Sequence, residues 1–224
     1  MTMNETAAAS TRRPEARLLG VIPKKWVEGF IGSLGRLSDV LVRLDVNPNF
    51  ITFLALLAGL GAGVLFAFNR PAWAVVLIFV CGALDVVDGK VAVKAKKQSL
   101  YGAIFDSTLD RYSEFFIYFG LAFYFRGRWP MWIPYFTFLG STMVSYTRAR
   151  AEGLGIECKV GFMQRAERMI LLVLGSLIGT LFKVFDPAMI TVLAAIAVIS
   201  NITAIERTLL VKKIEKQRNR DKEV

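Results

Sequence analysis

Residues 85–110 read D-V-V-D-G-K-V-A-V-K-A-K-K-Q-S-L-Y-G-A-I-F-D-S-T-L-D, and the reading of this stretch decides what kind of molecule the chain makes. Four aspartates stand at its two ends. Asp85 and Asp88 lie three apart, Asp106 and Asp110 four apart, and both spacings put the side chains on one face of a helix. Between them lies a lysine-rich connection, and on the outer flanks the sequence is apolar for long distances. The pattern predicts two antiparallel helices, joined at a charged surface, that present their carboxylate edges to each other at the same depth. Carboxylates so gathered repel one another and take up protons unless a cation joins them. Oxygen-only ligands suit Mg²⁺ or Mn²⁺, so Asp85, Asp88, Asp106 and Asp110 are candidate metal ligands. The alternative is pairing with Lys or Arg across the bundle, for which the spans themselves offer Arg111, with loop lysines able to reach in. Gly89 and Gly102 flank the connection and leave room for a ligand to approach the backbone; glycines also permit close helix packing.

Outward from this stretch, the chain alternates apolar runs with basic ones. Crossing a bilayer takes about 20 apolar residues, because ~1.5 Å of rise per residue must cover a hydrocarbon core of roughly 30 Å. Phe50 to Asn69, Trp129 to Thr147 and Pro187 to Ile205 carry no charge. Pro71 to about Val93, Tyr101 to Phe125 and Met169 to Phe185 are long enough once polar residues at their ends are admitted. The expected fold is an all-α integral membrane protein of six transmembrane helices. Lysine and arginine are dense before the first run, around 94–100, around 148–168 and after the last run, and sparse in the intervening loops. That alternation predicts that both termini and the acidic site face the cytoplasm, in an inner membrane.

Composition agrees with this reading. Of the 224 residues, 54% are hydrophobic and 21% charged, and the mean hydropathy of +0.48 is that of a lipid-embedded chain. The net charge of +10 follows from the loop bias and from attraction to anionic lipid, and no separate basic domain is present for nucleic acid. Histidine is absent, which excludes Ser-His-Asp and Cys-His nucleophile systems and histidine-ligated zinc. Cys81 and Cys158 are too few for a disulfide framework.

Residues 1–23 lack an apolar core of signal-peptide length and read as a flexible cytoplasmic tail. Over 24–46, Trp26, Val27, Phe30, Ile31, Leu34, Val40, Leu41 and Leu44 recur at helical spacing among basic residues. This is the pattern of an amphipathic helix lying in the interface, or of a soluble helix packed on the bundle. Residues 47–211 form the six-helix membrane domain, and 212–224 a charged, fraying tail.

The stretch from Asp85 to Asp110 closely resembles the signature of the CDP-alcohol phosphotransferase family, D-x2-D-G-x2-A-R-x8-G-x3-D-x3-D. Asp85, Asp88, Gly89, Ala92, Gly102, Asp106 and Asp110 match, seven of the eight fixed positions, while Val93 stands where the family has arginine. Lys90 or Lys94 are the candidates to replace that arginine at the donor's pyrophosphate. Asn47-Pro48-Asn49-Phe50-Ile51-Thr52 resembles the Pro-Asn-x-x-Thr segment that opens the family's first membrane helix. The resemblance covers about residues 25 to 210. It implies two divalent ions held by the four aspartates, with Asp110 completing the second site and serving as general base. It also implies a CDP-lipid held by Asn49, Thr52, Asp88, Gly89, Ala92 and Gly102, and a homodimer.

The acceptor is indicated by S-Y-T-R-A-R-A-E, residues 145–152, and by Q-R-A-E-R, residues 164–168. Arg148, Arg150, Arg165 and Arg168 crowd toward the membrane face of the aspartates, and several guanidinium forks suit a phosphorylated acceptor. These segments are similar to those of the family's phosphatidylinositol-phosphate synthase branch. By that resemblance Ser145, Arg148, Arg168 and Arg207 hold the phosphate of inositol 1-phosphate, and the reaction is phosphatidyl transfer from CDP-diacylglycerol with release of CMP. Glycerol 3-phosphate, free inositol or serine are alternative acceptors, and the donor can carry another lipid backbone. The rival of a different class is a divalent-cation transporter, which calls for carboxylates near the midplane and broken helices around them.

Overall fold

The computed structural model describes residues 24–158 and 160–220. Among these residues the chain is helical throughout, with no strand: α1 (Lys24–Arg43), α2 (Pro48–Ala67), α3 (Pro71–Lys94), α4 (Leu100–Tyr124), α5 (Trp132–Gly153), α6 (Arg165–Leu181) and α7 (Phe185–Arg220). The expected tail at 1–23 lies outside the described residues.

Local chemistry sets the helix ends. Asn47 caps α2 by accepting from the Asn49 amide, with Pro48 at the first helical position, where its missing N–H costs nothing. Ser99 caps α4 by accepting from the Gly102 amide at 2.9 Å. At four helix ends the chain reverses through a residue in the left-handed region, namely Asp45, Asn69, Lys96 and Lys183. In each the next amide reaches back five residues, as from Arg70 to the Leu65 carbonyl and from Val184 to that of Gly179. This closure satisfies carbonyls that the helix leaves open.

The helix order differs from the apolar runs in three places. The run Trp129 to Thr147 is not one helix: Trp129–Met131 is a 3₁₀ turn, after which α5 starts at Trp132 and carries on through the charged residues to Gly153. The span expected from Met169 to Phe185 starts at Arg165 and stops at Leu181, because Glu167 accepts from the Gln164 amide at 3.1 Å and closes the first turn early. The charged stretch 212–220 is helical, continuous with α7. Ala151, Ile156 and Cys158, which are buried, pack with Leu210, Val211 and Ile214, so the loop after α5 supports this extension.

The dominant helix contacts close a ring, α2 to α4, α4 to α5, α5 to α7, α7 to α6, α6 to α3 and α3 back to α2. Its interior is lined by Phe66, Ile78, Ile117, Leu121, Leu172, Met189 and Leu193, all fully buried. The outward faces are also apolar: Phe53, Leu57, Val64, Trp73, Val76, Phe79, Phe119 and Phe136 are exposed. A surface of this kind marks contact with lipid rather than water. Three helices, α2, α3 and α7, are long and apolar enough to cross a membrane. In α4, Asp106, Asp110, Arg111 and Glu114 dilute the apolar run, α5 spends its last turns on Arg148, Arg150 and Glu152, and α6 has 17 residues.

Helix α1 lies against α3. Leu34 is buried, and with Leu41 and Val42 it meets Ile51, Val87 and Val91. Val40 and Leu44, from the same expected apolar set, are exposed. The side chains of Trp26, Val27, Phe30 and Ile31 lie outside the described set.

The tightest seam is between α2 and α4. A Cβ on Gly63 would stand 2.2 Å from the Phe116 carbonyl oxygen, and one on Gly120 would stand 2.1 Å from the carbonyl oxygen of Gly63. Only glycine lets these backbones approach so closely. Gly63→Val should therefore lower the stability of the detergent-solubilised protein by about 1–3 kcal/mol or prevent assembly, measured by thermal unfolding. Gly82→Ala, where an added Cβ meets nothing within 4 Å, should leave the melting temperature unchanged.

Candidate active site

Because α2 to α7 alternate in direction along the chain, the starts of α2, α4 and α6 meet the ends of α3, α5 and α7 at one end of the bundle. The four aspartates lie there, two on the last turns of α3 and two on the first half of α4. Carboxylate oxygens of Asp85, Asp88 and Asp106 all come within 4.8 Å of one another, with Asp88 buried and the other two half-buried. Thr52, at the start of α2, donates to Asp88 Oδ2 at 2.7 Å and fixes that carboxylate against the bundle. An all-oxygen donor set at this separation fits a hard divalent ion.

Asp110 is set differently. Arg165 Nη1 lies 2.8 Å from Asp110 Oδ1 and 2.6 Å from Asp85 Oδ1, bridging the third and fourth helices from the start of α6. The expectation that partners for these aspartates inside the spans are limited to Arg111 is thus corrected. Arg111 stands 4.0 Å from Asp110, whereas Arg165 reaches both helices because α6 begins four residues earlier than its apolar run.

One turn deeper on α4 sits Glu114, 4% exposed. It accepts from Arg168 Nη2 at 2.6 Å and lies 3.7 Å from Arg165 Nε. Arg168 is 1% exposed and also donates to the Met163 carbonyl at 3.3 Å. A buried arginine persists only when paired and hydrogen-bonded, and Glu114 supplies the pair. Glu114 escaped the sequence reading, although it continues the Asp106–Asp110 stripe by one more step of four. The early start of α6 was signalled by Glu167 three residues after Gln164.

The other residues expected at the acceptor's phosphate lie on the neighbouring helices. Arg207 of α7, 3% exposed, donates to the Val160 carbonyl at 2.9 Å and to that of Val144. Gly161, in the left-handed region, lets the loop pass beside it, since a Cβ there would stand 2.2 Å from Thr203 Cγ2. Arg148, on the same helix as Val144, is half-exposed and pairs with Glu152 at 2.8 Å. Ser145 Oγ lies 3.4 Å from the Ser141 carbonyl.

Of the residues expected at the donor's nucleotide, Asn49 and Gly102 are neighbours, since a Cβ on Gly102 would stand 3.3 Å from Asn49 Oδ1 and 3.0 Å from Ser99 Oγ. Gly89 and Ala92 lie half-buried on the last turns of α3. Val93 is exposed, and Lys94, one candidate for the missing arginine's role, is engaged with α1, at 2.6 Å from Asp39 and 3.1 Å from the Gly35 carbonyl.

Comparison with known proteins accounts for this arrangement. The family pattern of the CDP-alcohol phosphatidyltransferases matches residues 45–205. The archaetidylinositol phosphate synthase of Methanothermobacter thermautotrophicus is 37% identical over 161 residues, 71% of this chain and 82% of that protein. The phosphatidylinositol phosphate synthase of Streptomyces avermitilis is 32% identical, over 77% of this chain and 75% of that one. The crystal structure of the Mycobacterium tuberculosis phosphatidylinositol phosphate synthase with CDP-DAG bound matches with a TM-score of 0.71 at 26% identity, covering 78% of this chain and 91% of that one. The same enzyme in complex with manganese and citrate matches equally, at 25% identity. With its aspartates gathered at the bundle's end, the chain belongs to the CDP-alcohol phosphatidyltransferase family.

Proposed function

We propose that the protein transfers a phosphatidyl group from CDP-diacylglycerol to inositol 1-phosphate, yielding phosphatidylinositol phosphate and CMP. The reading rests on one observation above all: three carboxylates converge within 4.8 Å beside a set of arginines at one end of an apolar bundle. The synthase names of the relatives support the acceptor. Asp85, Asp88 and Asp106, with Asp110 completing the set, would hold two ions, Mg²⁺ or Mn²⁺, whose charge makes the lipid-bearing phosphorus electrophilic and neutralises the departing CMP. Asn49, Thr52, Asp88, Gly89, Ala92 and Gly102 hold the cytidine diphosphate end of the donor.

Asp110 then takes the proton of the acceptor hydroxyl as its oxygen forms the new bond to phosphorus and the bond to CMP breaks. Ser145, Arg148, Arg168 and Arg207 orient the acceptor through its phosphate. In this proposal all six helices α2 to α7 cross the membrane, α1 lies in the interface, and residues 47–211 form one domain, with the tails before and after it and the site at the cytoplasmic face. Each subunit pairs with a second copy. The open surface end lets the lipid-anchored donor enter sideways while the soluble acceptor arrives from the cytosol.

A second reading differs in the donor's backbone. Relatives from Methanothermobacter thermautotrophicus and Pyrococcus horikoshii, 37% and 35% identical, are named archaetidylinositol phosphate synthase, which favours the archaetidyl counterpart of the same donor.

CMP release by the reconstituted protein, with both donors and with inositol 1-phosphate, glycerol 3-phosphate, inositol and serine offered separately, tests the assignment. Product is expected with inositol 1-phosphate and Mg²⁺ or Mn²⁺, and none after chelation; product with another acceptor alone would overturn the acceptor while keeping the chemistry. Asp110→Asn should lower kcat by roughly 10²- to 10⁴-fold with donor binding retained, the usual contribution of a positioned base. Arg148→Ala should raise the KM for the phosphorylated acceptor about tenfold or more, the worth of a charge-assisted hydrogen bond. The donor's KM should stay within about twofold in this variant, because Arg148 is assigned to the acceptor alone.

A further inference from the structure

Arg165 does not sit in the cluster as a structural arginine does. A guanidinium that serves packing spreads its fork over a carboxylate with two nitrogens. Arg165 instead brings one nitrogen, Nη1, to two carboxylates on different helices, 2.6 Å from Asp85 and 2.8 Å from Asp110. Its Nη2 and Nε are buried without a hydrogen-bond partner, and the contact from Nε to Glu114, at 3.7 Å, is too long for one. Burying two donors without hydrogen bonds is costly, and the hydrogen-bonded compensation comes through the shared nitrogen, with the charge of Glu114 nearby. Arg168, three residues on, differs in that each of its terminal nitrogens has its own acceptor, Glu114 for Nη2 and the Met163 carbonyl for Nη1, and its Nε alone lacks one.

A single positive atom shared by carboxylates from two helices is the arrangement of a bridging cation. We propose that Arg165 is a tethered counter-cation, which holds Asp85 and Asp110 together in the metal-free protein and is displaced from them when divalent ions bind. The inference rests on the metal-site reading above. Two consequences distinguish it from a packing role. Arg165 and the ions compete for the same oxygens, so removing its charge tightens metal binding. It also keeps the empty cluster from repelling itself apart, so the same change weakens the metal-free protein.

The test is Mn²⁺ binding to the purified full-length chain in detergent, without substrate, read from the electron paramagnetic resonance signal of free Mn²⁺. Arg165→Gln should bind at least about fivefold more tightly than the parent, a coupling at the low end of what linked sites show. Arg165→Lys, which keeps the charge, should stay nearer the parent than Arg165→Gln. In EDTA the Gln variant should melt below the parent, and its gain in melting temperature on adding Mn²⁺ should be the larger of the two. Unchanged or weaker Mn²⁺ binding by a monodisperse Gln variant overturns the proposal. Should that variant fail to fold, phenylglyoxal labelling of the parent decides: modification of Arg165, mapped by peptide mass spectrometry, should rise on Mn²⁺ saturation, and no rise overturns the proposal. Absence of Mn²⁺ binding by the parent itself would overturn the metal-site reading together with this one, so the two failures are distinguishable.

Discussion

Five carboxylates, Asp85, Asp88, Asp106, Asp110 and Glu114, are drawn into one end of an apolar bundle, and like charges in so little water cannot all stand ionised without cations among them. The surrounding structure answers that constraint from several sides. Thr52 brings a hydroxyl to Asp88, Arg168 a buried guanidinium to Glu114, and Arg165 a single nitrogen to Asp85 and Asp110 at once. None of these partners comes from the helices that carry the acids. They are delivered by α2 and α6, which makes the ring of helices a precondition of the site rather than a container for it.

The ring in turn depends on how closely its members approach. At the α2–α4 seam Gly63 and Gly120 bring backbone against backbone, and Gly59 faces Ser113 one turn nearer the acids. Thr52, two turns before Gly59 on α2, is held by the same approach, and it reaches Asp88 on α3. Packing in the lipid-facing half therefore sets the register of hydrogen bonds in the polar half. The opposite end of the bundle has its own small cluster, where Asp186 accepts from Tyr124 at 2.7 Å and pairs with Arg128, and it ties the start of α7 to the end of α4.

Much of this was legible in the chain. The spacing of the four aspartates put them on facing helix edges, and Asp85, Asp88 and Asp106 do converge. Apolar runs located α2, α3 and α7, because a run bounded by charges and turn residues has one natural reading. What stayed hidden was whatever depends on tertiary partners or on backbone closure. The interruption at Trp129–Met131 leaves the hydropathy of its run untouched. The start of α6 was set by the bond between Glu167 and Gln164, not by hydrophobicity. Arg165 and Arg168 read as members of a loop's basic cluster, and only the bundle's closure turns them inward to acids more than fifty residues earlier. Lys94 is the reverse case: a charge next to the signature that serves the packing of α1.

The 36 residues of α7 amount to ~54 Å of unbroken helix, well over the roughly 30 Å of a hydrocarbon core. The surplus is a rigid post standing clear of the bilayer at the end where the aspartates lie. The α5–α6 loop leans on it through Ile156 and Cys158, and Arg207 at its base fastens that loop by the Val160 carbonyl. The loop between α5 and α6 is thus a wall hung on a mast, and its position is inherited from a helix whose foot is at the far side of the bundle.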